Sequence, residues 1–222
     1  MLGALVPDAS GNDNNWTSIN LNLSTSTATT YDLMKDTPSL VDENAGNFAV
    51  MNPLDNGGNT VSSGNLNVTT AVGFDLIRST FFVSSGKWYW EVECTDCGAG
   101  FVGVSTASEG LNTRGAETSS SATIRTTTGN IRSGASDSSY GTAVSDGDVM
   151  ILALDMDNGK FYAGKNGTWF NSGNPATSTN PGKTGLTTAL SPSISVYDNE
   201  DYIANFGQRP FAYTPPSGFL KL

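Results

Sequence analysis

Apolar and polar positions in this chain alternate over short stretches, and clusters of Gly, Asn, Asp and Ser bound most of them. Ten such stretches recur at short spacing from about Phe48 onward. They read NFAVMNPL, NLNVTTAV, DLIRSTFFV, KWYWEVECT, GFVGVST, SATIRTTT, VMILALDM, KFYAGKNG, SPSISVY and DYIANFG. No amphipathic helix lies between them. About ten short strands separated by turn signals predict an all-β domain, an antiparallel β-sandwich or jelly roll.

Two dipeptides point to particular turns. Asn158-Gly159 and Asn166-Gly167 are each the pair that favours a type I′ hairpin, in which both central residues take positive φ. They predict a three-stranded meander over 149–155, 160–165 and 168–170. Its first strand is almost continuously apolar from Val149 to Leu154, which predicts a central strand covered on both faces. Residues 1–45 read differently, with the polar SGNDNNW and the low-complexity NLSTSTATT. An irregular N-terminal extension over 1–45, carrying one or two strands, is expected ahead of a sandwich domain over 46–222.

Composition narrows the class. Ser, Thr, Asn and Gly make up 98 of the 222 residues, and charged residues are only 14%. Ala, Leu, Glu and Lys are too scarce for a helical bundle. The net charge of −10 comes without any Lys/Arg cluster, which argues against nucleic acid and against an anionic membrane surface as partners. The apolar run at residues 1–6 ends at Pro7 and Asp8, too short for a secretory segment, and no stretch is long enough for membrane insertion. The chain contains no histidine. Ser-His-Asp and Cys-His nucleophiles and every His-based zinc site are thereby excluded.

Three acidic or thiol groupings remain. Cys94 and Cys97 form a single C-x-x-C at a strand end, where either a free pair or a small local disulfide is expected rather than a zinc or redox centre. Asp155, Asp157 and Asn158 have the wrong spacing for an EF-hand, and a hairpin turn accounts for them. In the acidic loop YDNED over 197–201, Asp198, Glu200 and Asp201 lie close together, and a solvated loop is the expectation there. No cofactor and no metal are expected.

In series, SSGKWYWEVE, GFVGVST, GDVMILALDMDNGKFYAGKNG and ANFGQRPFAYTPPSGF resemble a SPRY domain over roughly residues 70–220. The stretch MNPLDNGGNTVSSGNLNV is similar to the PRY-type strands that often precede it, placed here within 46–70. The closing NFGQRPFAYTPPSGF, with GNFAVMNPL and SSGNLNV upstream, most resembles SPRY proteins encoded by tailed bacteriophages. The resemblance implies a concanavalin A-like sandwich of two antiparallel sheets that binds through loops at one end and does no chemistry. The Cys94/Cys97 pair and the stretch 105–146 depart from the pattern, so it supplies no ligand.

Glu91 and Glu93, with Tyr89, fall on one face of the strand WYWEVE, while Trp88, Trp90 and Val92 fall on the other. Paired carboxylates on such a strand resemble those of laminarinase-type glycosidases. That pattern wants a third alternating acid, and the third same-face position here is Thr95. The expectation is therefore that both carboxylates are solvated or paired. Three long polar loops, 105–121, 133–147 and 168–185, hold the remaining functional material, because neither outer sheet face is expected to offer large anchors. Arg114, Tyr140, Trp169 and Phe170 are their candidate ligand-binding residues, joined by Asp198; Trp169 reads equally well as strand core.

The expected function is that of a non-enzymatic bacteriophage virion structural protein, a tail fibre, adhesin or capsid-surface component on the extracellular particle. Its expected partners are other virion proteins, a host surface glycan or receptor protein, and further copies of itself as a homo-oligomer. Two alternatives stand beside it: a polysaccharide-cleaving glycosidase on a concanavalin A-like fold, and an intracellular SPRY protein–protein adaptor.

Overall fold

Period-two patterning builds two sheets whose inner faces share one core. The computed structural model describes residues 48–69 and 73–222, and the expectations for residues 1–45 lie outside them. The first sheet runs in the order β1 (Met51–Asn56), β4 (Asp75–Ser79), β13 (Ser191–Val196), β6 (Phe101–Ser105), β7 (Ala122–Arg125), β8 (Ile131–Ser133) and β9 (Ser136–Ser138). The second runs β12 (Thr168–Trp169), β11 (Lys160–Lys165), β10 (Val149–Asp155), β5 (Lys87–Asp96), β14 (Asp201–Asn205), β3 (Asn67–Thr69) and β2 (Thr60–Ser62). These pairings are antiparallel, and β15 (Leu220–Lys221) adds a short parallel pairing to β5. The chain is an all-β sandwich, and all ten apolar stretches of the sequence contribute strands.

The inner faces follow the alternation. From β5, Trp90, Val92 and Cys94 point inward beside Met150, Leu152 and Leu154 of β10. They meet Ile77, Val102, Val104, Ile124, Ile194 and Val196 of the other sheet. Each large side chain buried here contributes roughly 1.5–3 kcal/mol of transfer free energy. Strand β10 lies between β11 and β5, covered on both faces as its apolar run predicts.

The outer faces differ from each other. On the seven-stranded sheet the outward residues are mostly small or basic, Arg78, Ser193, Ser195, Ser105, Thr123 and Arg132, with Leu76 and Phe101 beside them, all buried. On the eight-stranded sheet they are aromatic. Tyr89, Ile151, Ala153, Tyr162 and Phe219 form a second buried cluster, flanked by Trp169, Phe211 and Tyr213. Large side chains do occupy this outer face, but the C-terminal segment folds back over the sheet and buries them.

Asn166 and Gly167 take φ of 50° and 77°, as a type I′ turn requires. The other turn is longer. Asp155 faces Lys160 across four residues, and only Gly159 is left-handed, with φ 61°. Asn158 instead donates its backbone amide (3.0 Å) and its Nδ2 (2.9 Å) to the Asp155 carboxylate. That side-chain anchor replaces the positive φ expected of Asn158. A Cβ at Gly159 would lie 2.5 Å from the Leu186 carbonyl oxygen. Gly159→Val is therefore expected to cost about 2 kcal/mol, from left-handed strain and this clash. A thermal melt checks it, and a wild-type midpoint would contradict the turn geometry.

Candidate functional site

A loop can recognise a partner only with groups that the fold does not itself bury. By that measure the three long loops separate. In residues 106–121 the backbone is tied down across the outer face of the seven-stranded sheet. Arg78, 3% exposed, donates from Nη1 to the Thr106 and Glu109 carbonyls at 3.2 and 3.0 Å. Its other nitrogens pair with Asp55 at 2.7–2.8 Å. The buried Glu109 carboxylate accepts the Glu117 and Thr118 amides and the Thr118 hydroxyl. The Leu76 amide and the Ser195 hydroxyl donate to the Leu111 and Thr113 carbonyls. Arg132 closes the far side by pairing with Glu117 and Asp137. The loop is thus a braced cover from which a few side chains emerge.

The other two loops bury their large groups. Tyr140 and Phe170 are 8% and 6% exposed and pack edge to face at 5.9 Å. The Tyr140 hydroxyl accepts the Ala163 amide at 3.4 Å, and burial pushes its pKa up to about 12. Both rings belong to the core, because the 3₁₀ turns Phe170–Ser172 and Pro175–Thr177 fold their loop back onto β11. Neither can stack on a ligand, which corrects the expectation for these two residues. Trp169 is half-buried on the outer face of the eight-stranded sheet, with its ring edge to face against Tyr89 at 6.4 Å.

Arg114 and Asp198 remain exposed, and the fold brings them to one place. Asp75 faces Val196 in the β4–β13 pairing, so the next residues outward, Phe74 and Tyr197, meet at that end of the sheet. Their rings stack at 4.5 Å and 23°. The Arg114 guanidinium lies 4.7 Å from the Phe74 centroid, and Phe101 supports Phe74 from its edge at 5.8 Å. Tyr197 is 40% exposed, and Asp198 follows it in a left-handed conformation, φ 56°. Neither Phe74 nor Tyr197 is among the candidate binding residues of the sequence. Each sits at the tip of a recognised strand, but only the pairing of these distant strands makes them neighbours.

Beneath this cluster lies Glu200, 3% exposed, which accepts the Tyr197 and Gly100 amides at 3.0 Å and the Tyr202 hydroxyl at 3.3 Å. Burial raises its pKa above the usual carboxylate range against the opposing pull of these donors. Glu200 props the turn from inside. Among the described residues no group of His, Cys, Asp and Glu is arranged to hold a metal ion. Cys94 and Cys97 are joined as a local disulfide at the end of β5, with Cα atoms 5.6 Å apart.

The carboxylate pair on β5 has divided roles. Glu91 is 3% exposed and accepts the Tyr89 hydroxyl and the Ala212 and Tyr213 amides, each at 2.8 Å. It fastens the C-terminal segment to the sheet, and Tyr89, buried beneath that segment with its hydroxyl on Glu91, is held well above the ordinary tyrosine range. Glu91 is therefore paired, by backbone amides rather than by a cation. Glu93 is half-buried and has no side-chain partner among the described residues.

Comparison with known proteins agrees with this architecture. The SPRY domain family profile matches residues 87–209. Among solved structures 254 chains match, including the crystal structure of the SPRY domain of human HERC1. That structure aligns at a TM-score of 0.59 and 19% identity, covering 69% of this chain and 96% of its own. No curated protein sequence matches. At this identity the structural likeness speaks for the fold, while the family match spans more than half of the 222 residues, from β5 through β14. This chain belongs to the SPRY domain family.

Proposed function

We propose that this protein is a non-catalytic binding component that engages a protein partner through the end cluster of Phe74, Arg114, Tyr197 and Asp198. SPRY domains are typically protein–protein interaction modules and generally non-catalytic. The observation that carries the reading is the exposed stack of Arg114 and Tyr197 on Phe74. Aromatic and arginine side chains are the commonest anchors of protein interfaces. The braced loop 106–121 and the buried Glu200 hold this set in place, so little ordering is required on association. A protein epitope fits better than a sugar, since Tyr140 and Phe170 are core residues and Trp169 is half-covered.

The biological setting we propose is a bacteriophage virion, where the protein serves as a tail-fibre, adhesin or capsid-surface component. The partner is then another virion protein or a host receptor protein. This rests on the resemblance of residues 46–54, 62–68 and 205–219 to phage SPRY proteins. It is supported by a local disulfide of a kind that persists in oxidising surroundings.

The test is an Arg114→Ala/Tyr197→Ala double variant carried into the particle. Both side chains are exposed, so the variant should melt like the wild type. Incorporation into the particle or adsorption to host cells is expected to fall by tenfold or more, the scale of losing about 1.4 kcal/mol of binding. Unchanged incorporation and adsorption would contradict the assignment of the interface.

A further inference from the structure

A second site lies away from the end cluster, on the outer face of the eight-stranded sheet, and goes beyond the reading above. Side chains on that face form cross-strand rows. Gly164, Ile151, Glu91 and Asn205 make one row, and Val149, Glu93 and Ile203 make the next. The returning C-terminal segment is anchored on the first row through Glu91 and does not extend over the second. A notch of about 250 Å³ remains between the segment and the sheet. Its floor is Val149, Glu93 and Ile203, and its wall is Arg209, Pro210 and Phe211. The wall is fixed before any ligand arrives. The Asn205 side chain accepts the Gly207 amide and donates to the Pro210 carbonyl, and the Phe206 amide donates to Gln208.

We propose that this notch receives one basic side chain, arginine before lysine, presented by a protein partner. Glu93 supplies a carboxylate with no internal partner among the described residues, and it forms no ion pair with Arg209 although both line the notch. The neighbouring Glu91 carboxylate adds negative potential, while its own lone pairs are occupied by Tyr89, Ala212 and Tyr213. Val149, Ile203 and Phe211 give the aliphatic stem an apolar wall, as long cationic side chains prefer. A guanidinium fits better than an ammonium, because it is planar, can stack on an aromatic ring and meets a carboxylate with two parallel donors. Arg209, exposed at the rim with Nη2 on the Ala204 carbonyl, is placed to donate to a main-chain carbonyl accompanying the incoming residue. The net charge of −10 draws such a partner in.

N-acetyl-arginine amide titrated into the isotopically labelled protein tests this, with amide chemical shifts as the readout. Saturable shifts are expected at Val149, Ile203 and Ala212, with a dissociation constant on the order of a millimolar. Glu93→Gln, which breaks no internal contact, should weaken binding about tenfold, whereas Arg114→Ala at the end cluster should leave it unchanged. Absence of saturable shifts at these amides, or equal shifts in Glu93→Gln, would overturn the proposal. So would shifts induced by methyl glucoside in place of the arginine probe, which would make the notch a sugar site.

Discussion

Replacing Glu91 by alanine should lower the stability of this protein by about 3–5 kcal/mol, with a drop in Tm on the order of 10 °C. Three donors converge on a carboxylate that is 3% exposed, and truncation leaves all three without their acceptor. The effect extends along the chain, because two of those donors are the main-chain amides of Ala212 and Tyr213. Without them the C-terminal segment lifts from the sheet, exposing Tyr89, Ile151 and Tyr162 beneath it. Hydrogen exchange at Ala212 and Tyr213 should accelerate before exchange in β10 does. A catalytic Glu91 would behave differently, since its removal would spare stability and abolish turnover. Wild-type melting of Glu91→Ala would contradict its assignment as a fastener.

The second large effect is expected at Arg78. Arg78→Leu keeps much of the side-chain volume but removes the guanidinium donors to the Thr106 and Glu109 carbonyls and to Asp55. The Glu109 carbonyl and the Asp55 carboxylate then lose these donors, while the Thr106 carbonyl keeps the Glu109 amide, at a cost of about 3 kcal/mol. Because Arg78 braces the loop that carries Arg114, binding through the end cluster should weaken as well. Proteolysis within residues 106–121 and a melting curve measure the two consequences separately. A loop that stays protected in Arg78→Leu would show that the remaining ties suffice.

The strand pattern was legible because alternation of large apolar residues marks an inner face irrespective of partners. Trp88, Trp90 and Val92 against Tyr89, Glu91 and Glu93 is such a case, and the meander from Val149 to Trp169 follows from its turns. Strands β8, β9 and β15 carry no alternation of their own, because each has only two or three residues, too few to display a period. The site was legible only in part. Arg114 and Asp198 stand out as charged residues in polar loops, and they remain exposed. Tyr140 and Phe170 look identical to them in sequence, yet a loop that folds back needs its own core, and these rings supply it. Phe74 and Tyr197 are invisible until β4 is paired with β13. The aromatic outer face beneath the C-terminal segment is likewise a property of long-range return, since Tyr89, Tyr162 and Phe219 share no local pattern.

The central claim, that recognition runs through the end cluster, is tested most directly by site-specific photo-crosslinking in the particle. p-Benzoylphenylalanine replaces Tyr197 in one version of the protein and Phe82 in another. These positions are 40% and 39% exposed and flank opposite ends of β4 and β13. The prediction is a discrete protein adduct from position 197, lost when Arg114→Ala is added, with none from position 82. An adduct from position 82 alone, or equal adducts from both positions insensitive to Arg114→Ala, would contradict it.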